Sequence, residues 1–325
     1  MKTLIILFLA IASVSAQTVL RVNNTPGVNA PYTTIAAAVA AAGANDVIIV
    51  EGSSIQYAGI TVDKKVTIVG PGYFLNENTG IQANLFPATI DFIDLYGGAS
   101  GSSISGVTTG AGLGGGVGFR VVGINNLSII GNNTYGLQLM GSSNNILVKG
   151  NYINDVNATG CSCSNTLFVN NLVLSTVNAQ NTSSTLTFAN NTLLGSVQFI
   201  HYSSISNNIF YAPTNVSFWF ANSTVTKNVF VATSAADATN LQGVAAASLF
   251  VGLTGNTTDT QYRLKIGSPA IGAGIGGIDC GMYGGATPYK PSGIATGQHT
   301  VNNLLVPVTV IQNGTLNVKV SAKVN

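Results

Sequence analysis

One short frame recurs as VKGNYI (148–153), FVNNLV (168–173) and FANNTL (188–193), so the copies follow one another at a constant step. Each copy holds an apolar residue, an asparagine three positions later, and a second apolar residue two positions after the asparagine. The frame continues on both sides at nearly the same step, and its asparagines are Asn133, Asn151, Asn171, Asn191, Asn208 and Asn228. A period near 20 that keeps both apolar positions in phase indicates a solenoid.

The two apolar positions predict two columns of core side chains. The first column is Ile130, Val148, Phe168, Phe188, Ile205 and Val225; the second is Tyr135, Ile153, Val173, Leu193, Phe210 and Phe230. Their spacing suits two short strands joined by a tight corner, where asparagine tolerates the left-handed backbone region. In a parallel β-helix, equivalent residues stack about 4.8 Å apart. The asparagine side chains would then form an internal hydrogen-bonded ladder.

Two other architectures fit this sequence poorly. A disordered Asn-rich segment would not keep its flanking hydrophobic residues in phase, and 46% of the chain is hydrophobic while only 7% is charged. A leucine-rich-repeat horseshoe needs a helix-forming stretch in each repeat, but Asn, Ser, Thr and Gly dominate here. The pattern therefore predicts an all-β fold with coils of about 20 residues.

The N-terminus is typical of a secretory signal. Lys2 precedes an apolar run over residues 4–11, and small residues at 13–16 provide a cleavage site before Gln17. The apolar run is too short to span a bilayer, and no later segment has the length and continuity of a membrane span. We therefore predict a signal peptide over 1–16, a β-helix domain over 17–290, a linker with a β-hairpin over 291–325, and a secreted or cell-surface location.

The ends of the solenoid carry their own signals. Thr34 precedes an alanine-rich stretch at 35–42, which predicts a short helix that caps the first coil. A first buried strand is predicted at 46–50. At the other end, Asn313-Gly314 separates two strand-like runs and favours a type I′ hairpin. Such a hairpin alone is only marginally stable, so it would dock on the helix, belong to a larger β-module or pair with a partner.

Charge and cysteine content narrow the function classes. A net charge of +2 offers no basic surface for nucleic acid.

Cys161, Cys163 and Cys280 are too few for a disulfide framework, and we expect them to be small buried residues. The glycine-rich loop at 110–118 lacks the strand and helix of a phosphate-binding loop and predicts a protrusion or a sharp corner. No cofactor is expected, and the oligomeric state stays open.

Several segments resemble the secreted right-handed parallel β-helix proteins of the pectate-lyase-like superfamily. YTTIAAAV (32–39) and DVIIV (46–50) are similar to their capping helix and first strand, and VDKKVTIVG (62–70) to the following coil. SPAIGAG (268–274) and DCGMYGG (279–285) resemble the closing signature of bacterial members. The C-terminal segment 301–325 looks like the end of a bacterial cell-surface β-module. The resemblance implies a right-handed helix but no single activity, because the superfamily includes lyases, hydrolases, adhesins and non-enzymes.

The resemblance also implies what an active site would need. Lyases of this kind use Ca²⁺ held by acidic residues beside an Arg or Lys base, and hydrolases use two or three Asp on adjacent coils. Between residues 121 and 236 the charged residues are Lys149, Asp155 and Lys227. The catalytic candidates are Asp91, Asp94 and Arg120 in the irregular coils; a surface ion pair or a polar corner is the competing interpretation.

Other candidates concern binding. Trp219, Tyr202 and Tyr211 could form an aromatic strip for sugar stacking, although core packing explains most such residues. His201 is expected to be a surface or stacked residue, and Asp279 and Tyr283 to close the last coil. Stacked threonines such as Thr185-x-Thr187 and Thr224-x-Thr226 hint at ice binding, but the coils between them lack the pattern.

These observations favour an exported, non-catalytic β-helix scaffold that acts as an adhesive or glycan-binding element at the cell surface, with polysaccharide or cell-surface components as partners. The alternative is a polysaccharide lyase or glycoside hydrolase with its site near Asp91, Asp94 and Arg120, and calcium enters only under the lyase alternative. Carboxylates that converge in a groove would favour the enzyme. A flat polar face with exposed rings would favour binding.

Overall fold

A computed structural model describes the chain from residue 17 to residue 324, with gaps. The described residues are 17–78, 80–110, 112, 116–179, 184–198, 200–212, 220–233, 237–294, 299–305 and 318–324. Within these ranges the single α-helix is α1 (Ile35–Ala41), and short 3₁₀ turns occur at Gly97–Ala99, Ala246–Ser248, Thr260–Tyr262, Ile275–Gly277 and Pro291–Gly293. No helix in this part of the chain is both long and apolar enough to cross a bilayer.

The strands are short, as expected for solenoid coils. They are β1 (Val19–Val22), β2 (Val47–Val50), β3 (Ile60–Val62), β4 (Thr67–Val69), β5 (Thr89–Ile90), β6 (Ile93–Tyr96), β7 (Ser103–Ser105), β8 (Thr108–Thr109), β9 (Phe119–Val122), β10 (Asn125–Ile130), β11 (Asn133–Gly141), β12 (Asn144–Lys149), β13 (Tyr152–Cys161), β14 (Thr166–Val169), β15 (Leu172–Val173), β16 (Val177–Asn178), β17 (Leu186–Ala189), β18 (Thr192–Leu193), β19 (Val197–Gln198), β20 (Ser204–Ser206), β21 (Ile209–Phe210), β22 (Thr224–Thr226), β23 (Val229–Phe230), β24 (His299–Leu305) and β25 (Lys319–Val324).

Two parallel sheets form the walls of the solenoid, and this confirms the predicted parallel β-helix. The first sheet has ten strands in the order β1-β2-β4-β7-β10-β12-β14-β17-β20-β22, and the second has thirteen strands. Each strand pairs in parallel with its equivalent one coil away, for example Phe168 with Phe188 and Val173 with Leu193. The coils of about 20 residues follow from this pairing.

The two predicted columns of apolar residues lie inside the solenoid from Val148 and Ile153 onward. Phe168 stacks on Phe188 with ring centroids 4.6 Å apart, and Phe210 stacks on Phe230 at the same distance. Stacked aromatic rings fit the inter-strand spacing of about 4.8 Å. This central cluster extends from Leu20 to Phe230 as one continuous core.

The prediction was wrong by one residue in the first repeat. Ile129 and Thr134 occupy the inward positions expected for Ile130 and Tyr135, and the ring of Tyr135 is 48% exposed. Asn132 likewise takes the place expected for Asn133. The sequence contains two adjacent asparagines here, and the period alone does not distinguish them. The preceding residue Gly131 turns the corner with φ +61°, which places Asn132 inside.

The inner asparagines form a continuous ladder. Each side-chain amide donates to the carbonyl oxygen of the next amide at 2.9–3.1 Å, and each backbone N–H donates to the same oxygen. The members are Asn132, Asn151, Asn171, Asn191, Asn208, Asn228 and Asn240. Asn240 extends the ladder beyond the regular period, because it follows Asn228 by only 12 residues.

The left-handed backbone at this corner falls on the residue before each of the first six ladder asparagines. These residues have φ between +55° and +62°, and they are Gly131, Gly150, Asn170, Asn190, Asn207 and Lys227. The expectation that the ladder asparagines themselves adopt this conformation is therefore wrong. Glycine and asparagine tolerate the left-handed region well, whereas Lys227 is an unusual occupant.

Both ends match the predicted elements. Thr34 caps α1 by accepting a hydrogen bond from the Ala37 N–H, and Ile35, Ala38 and Val39 of the helix are buried against the first coils. The C-terminal strands β24 and β25 pair in an antiparallel hairpin. The predicted Asn313-Gly314 turn lies outside the described residues.

Residues 268–294 form a segment, here called the strap, that runs back along the corner of the solenoid. The Gly281 N–H donates to the Asn207 carbonyl, and the Asn170 amide donates to the Met282 and Gly284 carbonyls. Gly293 packs directly against Gly131, since a Cβ at Gly293 would lie 2.2 Å from the Gly131 carbonyl oxygen. Asp279 and Tyr283 lie within the strap, so their segment covers several coils and does not simply close the last one.

The cysteines depart in part from expectation. All three are buried, as predicted, but Cys161 and Cys163 are joined by a disulfide with their Cα atoms 5.1 Å apart. Cys280 is free, and burial raises the pKa of its thiol to about 12. A neutral thiol of this kind is chemically inert near neutral pH.

Candidate functional site

One outward column of polar side chains crosses the thirteen-stranded sheet. Consecutive members are register partners on neighbouring strands, so adjacent residues are about 4.8 Å apart. We call this set the polar column, and its members are Thr61, Asp94, Arg120, Gln138, Asn157, Asn178 and Gln198. The described residues on either side of each member are buried in the core, which places the column on the outer face of the sheet.

The charged part of the polar column is an ion pair between Asp94 and Arg120. The Arg120 Nε donates to Asp94 Oδ1 at 2.8 Å, and its Nη2 donates to Asp94 Oδ2. Asp94 is only 4% exposed. The hydrogen bond to Asp94 raises the pKa of the Arg120 guanidinium. A two-pronged contact of this kind engages both carboxylate oxygens and cancels the local charge.

Asp91, the third weak catalytic candidate, lies in a different contact. Its Oδ1 accepts a hydrogen bond from the Gln56 side chain at 3.3 Å, and its carboxylate faces Gly112. The structure therefore brings Asp94 and Arg120 together and gives Asp91 a separate partner. Within the described residues, no group of three or more His, Cys, Asp or Glu side chains could hold a metal ion.

Asp155 is a further acidic residue on this side of the solenoid. It sits on β13 beside Gly136, and burial raises the pKa of its carboxyl group. Three inter-strand steps separate the strands of Asp94 and Asp155, which corresponds to about 14 Å. The carboxyl pairs of glycoside hydrolases are about 5–9.5 Å apart. This spacing does not match either the retaining or the inverting geometry.

Two exposed tyrosines lie on strands that carry the polar column, Tyr96 on β6 and Tyr135 on β11. Tyr96 is 40% exposed, and its hydroxyl accepts a hydrogen bond from Arg120 Nη2 at 3.2 Å. The ring of Tyr135 covers Gly116 at the end of the glycine-rich loop, where an added Cβ would lie 2.6 Å from the ring. Residue 111 and residues 113–115 of that loop lie outside the described residues. The face therefore combines amide groups with accessible rings.

The structure gives Tyr202 and Tyr211, two members of the predicted aromatic strip, different contacts. Trp219 lies outside the described residues. Tyr202 is 47% exposed with φ +51°, and it contacts the ring of His201 edge-to-face at 6.5 Å. Tyr211 lines a separate cavity. The three residues were predicted to form one strip because they are close along the chain.

The cavity at Tyr211, here called the aromatic cavity, has a volume of about 320 Å³. Phe250 stacks against Tyr211 with ring centroids 5.7 Å apart, and Tyr262 meets Phe250 edge-to-face at 5.6 Å. Burial raises the pKa of Tyr262, and the nearby Tyr211 adds to this effect. Sequence reasoning missed Phe250 and Tyr262 because they lie in irregular segments that the repeat frame does not place.

The threonines considered for ice binding lie on the outer face of the ten-stranded sheet. Thr187 and Thr224 belong to one outward column with Ser204 between them, and Thr226 lies in the neighbouring column beside Ser206. Earlier coils carry Leu147 and Leu167 in the same column, so the threonine pattern is confined to one end.

The fold and this outer face define a parallel β-helix protein with a polar surface that carries an ion pair near one end. In comparisons with known proteins, no family model and no curated protein matches the chain. Membership of the pectate-lyase-like superfamily thus stays a prediction from the sequence.

Proposed function

We propose that the protein is an exported, non-catalytic β-helix that binds a glycan along the polar column and serves as an adhesive or structural element at the cell surface. The observation that carries the proposal is the continuous register of the column beside Tyr96 and Tyr135. Export rests on the signal-like residues 1–16. N-terminal sequencing of the secreted protein should find Gln17 first.

The chemistry of the column suits a neutral polysaccharide. The Gln138 side chain offers both a donor and an acceptor to sugar hydroxyl groups, and the Asn157 side chain offers its NH₂ group, since its oxygen already accepts hydrogen bonds from the Thr159 N–H and hydroxyl. Their regular spacing of about 4.8 Å would present one amide to each unit of an extended glycan that runs along the solenoid axis. The rings of Tyr96 and Tyr135 add surfaces on which a sugar ring can stack.

The paired charges argue against the enzymatic alternative. A general acid or base must reach the proton it transfers, but both oxygens of Asp94 already accept hydrogen bonds from Arg120. The strands of Asp155 and Asp94 are about 14 Å apart, which is beyond the spacing of a hydrolase carboxyl pair. Under the lyase alternative, Arg120 would act as the base and calcium would supply the positive charge beside Asp94.

The proposal is tested by calorimetry of the mature protein against a panel of neutral and acidic polysaccharides. The double variant Gln138→Ala/Asn157→Ala removes two adjacent amides from the column. The matched control, Thr187→Ala/Ser204→Ala, removes two adjacent polar groups from the outer face of the other sheet. We expect the column variant to lose at least tenfold in affinity and the control to bind like the wild type, with similar melting temperatures for all three.

Two outcomes would overturn the location or the class of the site. If both double variants bind equally well, the glycan does not use the polar column. If the panel reveals cleavage that is lost in Asp94→Asn and depends on calcium, the protein is a lyase and the ion pair belongs to its active site. A folded protein that binds no member of a broad panel would also count against glycan binding.

A further inference from the structure

A second cavity lies away from the polar column, against the other sheet. It has a volume of about 320 Å³, is partly open to solvent and lies between the outer face of the ten-stranded sheet and the strap. Ile130 and Lys149, register partners on β10 and β12, line it from the sheet. Thr287, Pro288, Lys290 and Ile294 line it from the strap. We call it the lysine cavity.

The strap is held firmly on the side where the cavity forms. Tyr289 is buried, and its hydroxyl lies 2.7 Å from the hydroxyl of Tyr73. The Ser292 N–H donates to the buried carboxylate of Asp259 at 2.8 Å. Gly293 packs against Gly131 at the corner of the solenoid. These contacts lie on both sides of Lys290 and fix the strap, so the cavity is formed without a ligand. Binding would therefore cost little conformational entropy.

The cavity concentrates positive charge in a chain that has very little. The whole protein carries twelve Lys and Arg residues, and two of them are among the described residues that line this one cavity, whereas no Asp or Glu is among them. Lys149 stands in an outward column between the aliphatic residues Ile130 and Val169. The electrostatic field of the cavity therefore favours an anion.

We propose that the lysine cavity binds a monosaccharide-sized ligand that carries one anionic group. A carboxylate, sulfate or phosphate would lie between the ammonium groups of Lys149 and Lys290, which act as compact point charges. The apolar surfaces of Ile130, Pro288 and Ile294 would contact the carbon face of a sugar ring, and the hydroxyl of Thr287 offers a further hydrogen bond. The volume is at the lower end of the range for small-molecule sites.

This site is independent of the proposed glycan-binding face, because the two use different sheets and different residues. The test uses four sugars that differ only at carbon 6: glucose, glucuronate, glucose 6-sulfate and glucose 6-phosphate, together with inorganic phosphate alone. Binding to the full mature chain is measured by calorimetry at low and moderate salt. The variants are Lys149→Gln and Lys290→Gln, with Lys319→Gln on the exposed hairpin strand β25 as the charge-matched control. Ala286→Trp fills the mouth of the cavity and leaves both lysines in place.

We expect at least one anionic sugar to bind more than tenfold tighter than glucose, with affinity that falls as salt is raised. Lys149→Gln and Lys290→Gln should each weaken this binding about tenfold, Ala286→Trp should abolish it, and Lys319→Gln should leave it unchanged. The preferred anion among the three sugars identifies the chemical group, and equal binding of inorganic phosphate alone would overturn the assignment of a sugar ligand. The proposal would be overturned if glucose and the anionic sugars bind with equal affinity. It would also be overturned if the two lysine variants and Ala286→Trp have no effect, or if no probe binds at millimolar concentration.

Discussion

Replacing Asn171 by alanine would remove four hydrogen bonds from the middle of the inner ladder. The Asn171 carbonyl oxygen accepts from the backbone N–H and the side-chain amide of Asn151, both at 3.0 Å. Its amide donates to the Val148 carbonyl at 2.8 Å and to the Asn191 side chain at 3.0 Å. The residue has no exposed surface, so water does not reach these groups in the folded state.

The expected loss of stability follows from which groups are left without partners. The Asn151 N–H would lose its acceptor inside the core, at a cost of roughly 1–3 kcal/mol. The three remaining bonds contribute about 0.5–1.5 kcal/mol each, although the Asn151 amide keeps its bond to the Ile129 carbonyl. The lower ends of these ranges apply because the neighbouring groups keep other hydrogen bonds, so we expect Asn171→Ala to lower the free energy of unfolding by about 3 kcal/mol.

The exterior of the solenoid provides a matched control. Asn144 makes the same kind of amide contact, since it donates to the Asn125 side chain at 3.2 Å and accepts from the Ser164 N–H at 3.1 Å. These bonds are solvent-exposed, so water can replace them, and Asn144→Ala should cost only about 0.5 kcal/mol. Both variants would be compared with the wild type by equilibrium urea denaturation. An unchanged m value would show that a shift of the midpoint reports a change of stability. Equal losses for Asn144→Ala and Asn171→Ala would refute the claim that burial makes the inner ladder important.

Two further predictions concern the corner and the strap. Lys227→Gly should raise the free energy of unfolding by about 0.5–1 kcal/mol, because Lys227 has φ +57° in a column of glycines and asparagines; a lower melting temperature in the variant would contradict this. Burial raises the pKa values of Tyr73 and Tyr289 well above 10.0, so their stabilising contribution is complete below pH 10 and is lost as the pH rises above it. Urea denaturation across this alkaline range should show falling stability, and Tyr73→Phe/Tyr289→Phe should make the fall less steep; an unchanged pH profile would argue against a buried tyrosine pair.

The repeat frame predicted the fold correctly because equivalent residues of each coil pack in the same environment. A side chain that faces the core must be apolar or fully hydrogen-bonded. Because the coils stack in register, the same requirement applies to the same position of every coil. The frame was least reliable where two asparagines are adjacent, and it chose Asn133 where Asn132 is the ladder residue. The deciding signal was Gly131, whose left-handed conformation sets the corner one residue earlier.

The candidate sites were harder to predict than the fold. Asp94 and Arg120 could be grouped because they are about one coil apart, and the structure joins them as an ion pair. Tyr211 could be named as a ring for sugar stacking, but its partners Phe250 and Tyr262 lie in segments that do not follow the period. The disulfide between Cys161 and Cys163 was not expected, because it closes almost no loop and has little to gain from chain entropy.

The amino-acid sequence by itself determined the parallel β-helix, its capping helix and the existence of an inner asparagine ladder, because these features depend on local spacing that recurs in every coil. The tertiary structure decided where the strap lies and which side chains share a cavity. Lys149 and Lys290 are far apart in the chain and meet at one cavity only because residues 268–294 fold back along the corner. A contact of this range depends on the path of an irregular segment, and no periodic pattern encodes that path.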